Sequence, residues 1–281
     1  MEFKEVLGNR RSIRFWQPWR TVEHEKLQAM LEAIYRAPRV LEVDFVRVVV
    51  MRLDELSPED LQSLKGPTTT TQLEMCPVVV WVYADLEALN EALDGKNLEE
   101  LIDVGALNES HGWTKEFIQG TIVPEVYQAA IDEPDTIPLQ FRTPDGTRTG
   151  EAYSRKQYAL ARAAIGIAQE HALLAAVEEG LGTQLSAVNP MVAKRIMGIP
   201  DSWITTSPVL VGYAVEDLQA GGQRPREPLE EDFFEGRYGN GFKRDDAVVE
   251  RLKDEGMIRP ENLGWRKAEV RRIARMFGLP E

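Results

Sequence analysis

The sequence predicts a chain of mixed helix and sheet, on three observations. Short β-branched runs stand far apart, at FVRVVVM (45–51), PVVVWVY (77–83) and PVLVGYA (208–214). Helical periodicity fills much of the chain between them, so one sheet has to be assembled from distant segments. A run of more than two dozen residues, SRKQYALARAAIGIAQEHALLAAVEEGLGT, carries alanine or another small residue on most of its faces. A helix small all round packs closely on more than one side, which puts it at the centre of the molecule or in a subunit interface.

The elements follow in order. Thr21 precedes VEHEKLQAMLEAIYRA, where Leu27, Met30, Leu31 and Ile34 fall at helical spacing and Glu23 and Glu25 suit a first turn. This amphipathic helix should end near Ala37 and Pro38. The run 45–51 is short and nearly continuous, as a buried strand is. Ser57 then reads as an N-cap with Pro58 at the first helical position. Prolines open the second and third strands, a position strands tolerate. Between those strands, 86–150 is polar, with acidic helical pieces and the turn-rich TPDGTRTG (143–150), an exposed hairpin or loop and a candidate lid. Its aromatics Trp113, Phe117 and Tyr127 read as anchors, at least one of them touching the substrate space, and His111 as a surface residue that could donate a proton there. The long small-residue helix closes on Gly180 and Gly182. After the third strand comes a Pro/Gly-punctuated stretch, 221–242, and then two short helices, DDAVVERLKDEG and WRKAEVRRIARMFG. The organisation expected is one domain over 1–240, with the lid inserted at about 86–150, and a helical extension over 241–281.

Charge narrows the function. Thirty-three basic side chains stand against 46 acidic ones, a formal charge of −13, which repels nucleic acid and anionic membranes and favours a small anionic ligand. The reading is of a soluble, cytoplasmic protein with no apolar run of membrane-spanning length and no signal core at its N-terminus. The single Cys76 forms no internal disulfide, and His24, His111 and His171 lie too far apart for a structural zinc site. Cys76, heading a strand, reads as core rather than reactive, and Ser12 has no histidine in its motif to make it a nucleophile.

Against that acidic background, GNRRSIRFWQP gathers Arg10, Arg11 and Arg14 around Ser12. Guanidinium makes paired, charge-assisted hydrogen bonds to phosphate. A second pair, Arg224 and Arg226, lies in GGQRPREPLEE. Residue types alone leave open whether the first cluster binds an anion or is a solvated basic loop before a helix. They also leave open whether the locally basic RKAEVRRIAR (266–275) docks on a partner.

These pieces, taken in order, resemble the nitroreductase-like FMN-dependent oxidoreductases. They are RRSIRF near the start, AP closing the first amphipathic helix, the strand CPVVVWVYAD, the Ala-rich helix ending GLGT, then PVLVGYA and RPREPLEE. The resemblance covers roughly 3–232. It implies an α+β fold with a mixed central sheet flanked by helices, an intertwined homodimer around the long helices, and FMN at the interface. It further implies that Arg10 and Ser12 contact the phosphate and ribityl chain, with Arg11 beside them. Arg14 would reach the ring or chain, and Arg224 and Arg226 would close on the phosphate. A backbone N–H of Ser186 or Ala187 would face flavin N5. NAD(P)H would be the co-substrate, delivering hydride to N5, and a nitroaromatic, quinone or similar planar acceptor would take the electrons in a ping-pong cycle. No catalytic acid, base or nucleophile is required, because the cofactor carries the chemistry.

Two departures accompany the resemblance. Arg39, Glu42 and Asp44 stand where the family carries Ser, Asn and Gln, and Val46 where it carries Trp. An ionised carboxylate accepts hydrogen bonds but cannot donate, so either the ring is held differently or these acids pair with Arg39 and Arg47. TQLSAVNP (183–190) lacks the family's glycine-rich turn. A flavin-binding sensor, carrier or flavin-degrading protein is the alternative these departures support.

Overall fold

A computed structural model of the chain describes residues 1–39, 43–66, 69–132, 136–138, 141–142, 148–149, 152–218, 220 and 222–280. Glu42 and the turn residues 143–147 of the expected hairpin lie outside them. Helices α1 (Phe3–Asn9) and α2 (His24–Tyr35) lead to β1 (Val46–Arg52), followed by α3 (Pro58–Leu64), α4 (Thr70–Met75) and β2 (Val78–Asp85). The polar segment holds α5 (Leu86–Glu91), α6 (Lys96–Asp103), α7 (Lys115–Phe117), a π-helical stretch Ile118–Gln128 and α8 (Ala129–Ile131). Next come β3 (Thr136–Pro138), β4 (Phe141–Arg142), β5 (Arg148–Thr149) and β6 (Ala152–Ser154), then α9 (Arg155–Glu178) and β7 (Gly182–Leu185). The remainder is α10 (Pro190–Met197), β8 (Trp203–Thr205), β9 (Val209–Gly212), α11 (Leu229–Asp232), α12 (Asp246–Asp254) and α13 (Leu263–Met276).

The central sheet runs β1-β2-β9-β7, with β8 also paired to β2. Each of these ladders is antiparallel, which corrects the expected mixed sheet. The reason is visible at β1 and β2: the chain leaves for α3 and α4 and returns to the same end, where the Leu53 N–H donates to the Pro77 carbonyl at 3.0 Å. The parallel pairing among the described residues is a lone bridge, Ser12 to Thr183. β8 and β9 share one line along β2. Thr205 faces Tyr83 and Val209 faces Val80, so three residues of one strand oppose two of the other. This is a β-bulge, and Pro208 sits in it, where its missing N–H costs no ladder bond.

Alternation on β2 divides the core. Val78, Val80, Val82 and Ala84 point to α2 and α9, while Val79, Trp81 and Tyr83 point to a second cluster with Leu64, Leu73, Ala193 and the N-terminal Ile13 and Trp16. β1 is half-buried along nearly its whole length, an edge strand rather than the buried one expected. Helix α2 starts at His24, with Glu23 as N-cap residue, so Thr21 lies outside it.

Helix α9 has the capping box its sequence encodes. Ser154 accepts from the Gln157 N–H at 3.2 Å, and the Gln157 side chain accepts from the Ser154 N–H at 2.9 Å. At its other end Gly180 adopts φ +72°, and the Leu181 and Gly180 N–H groups reach back to Ala176 and Val177, a Schellman motif. By length and composition α9 could cross a membrane, which corrects the expectation that no run would, but 44% of its apolar window is buried against its own chain. It packs as a core helix on α2 and β2. Its outer face exposes Ala159, Ala163 and Gly166.

β4 and β5 pair antiparallel, as the arms of the expected hairpin should. The segment 86–132 builds a satellite core of Leu93, Leu98, Ile118 and Tyr127, with Trp113 packed against it.

Candidate functional site

The segment after α1 is placed by its apolar residues. Arg10 ends α1 in extended conformation, its N–H donating to the Val6 carbonyl at 2.9 Å. The chain then lies beside β7: the Ile13 N–H donates to the Thr183 carbonyl at 2.8 Å, and the Trp16 indole donates to the Gly182 carbonyl at 3.1 Å. Gly182 is required by this approach, since a Cβ there would come within 2.7 Å of the Ile13 side chain. With Ile13 and Trp16 inside, Arg10 and Ser12 are left partly exposed and Arg14 exposed.

Beneath them lies a carboxylate the sequence did not advertise. The Glu216 side chain is 0% exposed. Its Oε1 accepts from the backbone N–H groups of Arg14 and Phe15, the latter at 2.9 Å. Its Oε2 accepts from Arg11 at 2.8 Å and from Arg266 of α13. Arg11 also donates to the Ala220 carbonyl. Burial holds the Arg11 guanidinium below its ordinary range, Glu216 opposes that shift, and Arg266 reinforces it. The only signal of Glu216 in the sequence is an acid just past an apolar strand, in PVLVGYAVED.

Arg11 is therefore committed to the fold, whereas Arg10, Arg224 and Arg226 form no ion pair among the described residues, and Arg14 donates to the Ser12 carbonyl at 3.3 Å. Three buried polar atoms, Arg11 Nε, Thr183 Oγ1 and Gln184 Oε1, lack partners among the described residues. Thr183 is the residue that Ser12 bridges. Further along, the Ser186 N–H is taken by the Pro208 carbonyl at 3.2 Å, and Ser186 itself is buried. Ala187 is exposed, and no hydrogen bond from its N–H occurs among the described residues. Of the two backbone donors expected, Ala187 is the one still available. Arg224 and Arg226 are exposed, in the stretch that begins just after Ala220.

The positions that depart from the family pattern line a different place. A cleft of about 640 Å³ opens between α2, β1 and α9, bounded by Tyr35, Pro38, Arg39, Asp44, Val46 and Arg47. Arg39 is paired with Asp44 and lies 5.0 Å from the Tyr35 ring centre. Arg47 reaches Asp85 at 3.6 Å and donates to the Asp44 carbonyl at 2.7 Å. Asp44 is thus neutralised by an arginine, one of the two outcomes its sequence allowed. No hydrogen bond or ion pair among the described residues joins this cleft to the Arg10–Arg14 segment.

The remaining candidates are structural. Trp113 and Phe117 meet edge to face at 5.9 Å, and Tyr127 is buried in the satellite core. His111 is exposed, its Nδ1 2.9 Å from Asn108 Oδ1. Cys76 ends α4 rather than heading a strand, and burial pushes its thiol up to about 12, which keeps it unreactive. The basic tail packs on its own chain: Ile273 and Ala274 are buried, and Phe277 stacks on Trp19 at 6.2 Å.

Residues 7–213 match the family described as "Nitroreductase family". No curated protein matches the sequence. Among solved structures, a nitroreductase family protein of Streptococcus pneumoniae is 17% identical with a TM-score of 0.55, over 84% of this chain and 100% of the other. An Exiguobacterium sibiricum protein solved in complex with FMN is 17% identical, TM-score 0.57, over 83% and 96%. A Staphylococcus epidermidis protein, assigned as an NAD(P)H:FMN oxidoreductase, is 14% identical, TM-score 0.57, over 82% and 93%. At these identities the likeness is one of fold.

Proposed function

This chain belongs to the nitroreductase family of flavin oxidoreductases, and we propose that it binds FMN and passes two electrons from NAD(P)H to a planar acceptor such as a nitroaromatic or a quinone. The observation carrying this reading is the Arg10–Arg14 segment. It holds guanidinium groups of Arg10 and Arg14 that form no ion pair among the described residues against β7 in a chain of charge −13, beside two buried donors, Arg11 Nε and Thr183 Oγ1, without partners among those residues. That donor set fits a phosphate, which accepts several charge-assisted hydrogen bonds at once.

Arg10 and Ser12 would take the phosphate and ribityl oxygens, with Arg14 at the chain or ring. Arg224 and Arg226 would close from the far side of Ala220. The Ala187 N–H would face the ring, while Ser186 holds that turn to the bulge at Pro208. Arg11 contributes from below, as part of the buried pair with Glu216. The flavin, when bound, supplies the two-electron chemistry, and no side chain need act as acid, base or nucleophile.

The reading includes a homodimer around α9. Its support is the exposed row Ala159, Ala163 and Gly166, where a Cβ on Gly166 would meet nothing within 4 Å. Sedimentation should show one species near twice 31.8 kDa, and Ala163→Arg should halve it. A monomer that retains flavin would count against the dimer.

An absorbance spectrum of the purified protein, followed by anaerobic titration with NAD(P)H, tests the whole reading. Released cofactor other than FMN, or failure to load with FMN, would sink it. The Arg39–Asp44 pair favours one second reading, a flavin-binding sensor, carrier or flavin-degrading protein with a modified ring site. In that case the flavin would load but stay unbleached by NAD(P)H.

A further inference from the structure

We propose that the C-terminal helix is a positioning clamp for the phosphate segment: Arg266 on α13 orients Glu216, and Glu216 in turn fixes the backbone of Arg14 and Phe15. This inference rests on the FMN reading, and its two acting residues, Glu216 and Arg266, lie beyond the family match, which ends at 213.

The division of labour between the two Glu216 oxygens carries the argument. Oε2 receives both guanidiniums, Arg11 from the N-terminal segment and Arg266 from the extension, while Oε1 receives only backbone N–H groups from Arg14 and Phe15. A buried carboxylate with donors on both oxygens cannot rotate without leaving one of them unmet. Arg266 thus helps decide where Oε1 points, and hence where the segment carrying Ser12 and Arg14 lies. The two guanidiniums outnumber the one carboxylate, so the cluster also lends positive charge to the anion site above it.

Helix α13 is held independently of Arg266, so the clamp has a fixed base. Asn262 accepts from the Trp265 N–H at 3.2 Å, capping the helix. Glu269 accepts from the Asp217 N–H at 2.9 Å and from Arg272 at 2.8 Å. Gln223 donates to the Met257 carbonyl at 2.8 Å and accepts from the Arg259 N–H at 3.1 Å. Gly8 meets Gly256 so closely that a Cβ on Gly8 would lie 1.9 Å from the Gly256 carbonyl oxygen.

Arg266→Met in the full chain removes the contact and keeps most of the side chain's volume. FMN should bind about tenfold more weakly, a loss the size of one charge-assisted hydrogen bond, while riboflavin, which keeps the ribityl chain and ring but lacks the phosphate, should weaken by clearly less. Hydrogen exchange in the ligand-free protein should quicken at the Arg14 and Phe15 amides and stay slow along β2. Arg266→Lys should restore much of both. Unchanged FMN affinity, equal losses for FMN and riboflavin, or unchanged exchange at the two amides would overturn the clamp. Should Arg266→Met fail to fold, Glu269→Gln loosens the helix at its neighbouring anchor and should move the same readouts by less; no movement overturns the proposal. A wild-type chain that takes up no FMN would sink the flavin reading itself, and the amide exchange, which needs no ligand, would still decide whether Arg266 fixes the segment.

Discussion

The two arginine clusters are built from the same side chain and suit the same anion, yet the fold treats them differently. In the first, Arg11 is half of a buried ion pair, and the backbone of Arg14 hangs on the same carboxylate. In the second, Arg224 and Arg226 stand in solvent without ion pairs among the described residues. The first cluster is architecture and charge together, and the second is charge alone. Residue type does not separate these roles, because a guanidinium serves equally well as a buried donor to Glu216 or as a solvated donor to a ligand.

The largest effect that would test this contrast is on stability. Glu216→Gln leaves the partly buried Arg11 and Arg266 without their counter-charge, and breaking a fully buried pair in this way costs about 3–5 kcal/mol, so a loss toward the low end of that range is expected. A shift of that size in the urea midpoint is expected. A change under about 1 kcal/mol would mean that the pair behaves as a surface one and that the contrast fails.

Ligand affinity comes next. Arg10→Ala removes a charge-assisted contact of about 1.5–3 kcal/mol, so FMN should bind roughly ten- to a hundredfold more weakly with riboflavin nearly indifferent. Equal losses for both ligands would show that Arg10 holds something other than the phosphate. Arg226→Ala should act in the same direction but more weakly, at the low end of that range, because its surroundings are solvent. Its effect should shrink as salt is raised, where that of Arg10 persists. If salt erased both effects alike, the two clusters would be equivalent for binding.

The smallest effect is on pH dependence. Glu269 is held down to about 2, chiefly by its hydrogen bonds with Arg272, against an ordinary 4.5. A depressed carboxylate stabilises the fold fully above its ordinary value and loses that contribution as pH falls toward its folded one. Glu269→Gln should therefore lessen the acid sensitivity of unfolding between pH 4.5 and about 2. An unchanged profile would separate the tail from the hub it flanks.

Much of the fold was legible locally. Gly180 announced the end of α9, because a cap is decided by residues three or four apart, whereas the Ser154–Gln157 capping box at its start went unread. Ser57 and Pro58 announced the start of α3. β7 and β8 were missed, since GTQL and WIT are short and carry no β-branched apolar run of the kind that revealed the equally short β9. Half-burial of β1 was also hidden, because an apolar run reads alike whether its sheet neighbour lies on one side or both.

The candidate site divides in the same way. By itself the sequence determined the arginines, the hydroxyl between them and the acidic background that makes them conspicuous, all of which are composition and order. Only the tertiary structure decided which arginine is spent. Arg11 and Arg266 lie at opposite ends of the chain, and they meet because Glu216, just past β9, has no water to satisfy it and must find its donors within the fold. A buried charge selects its partners by position in space, which no local pattern encodes.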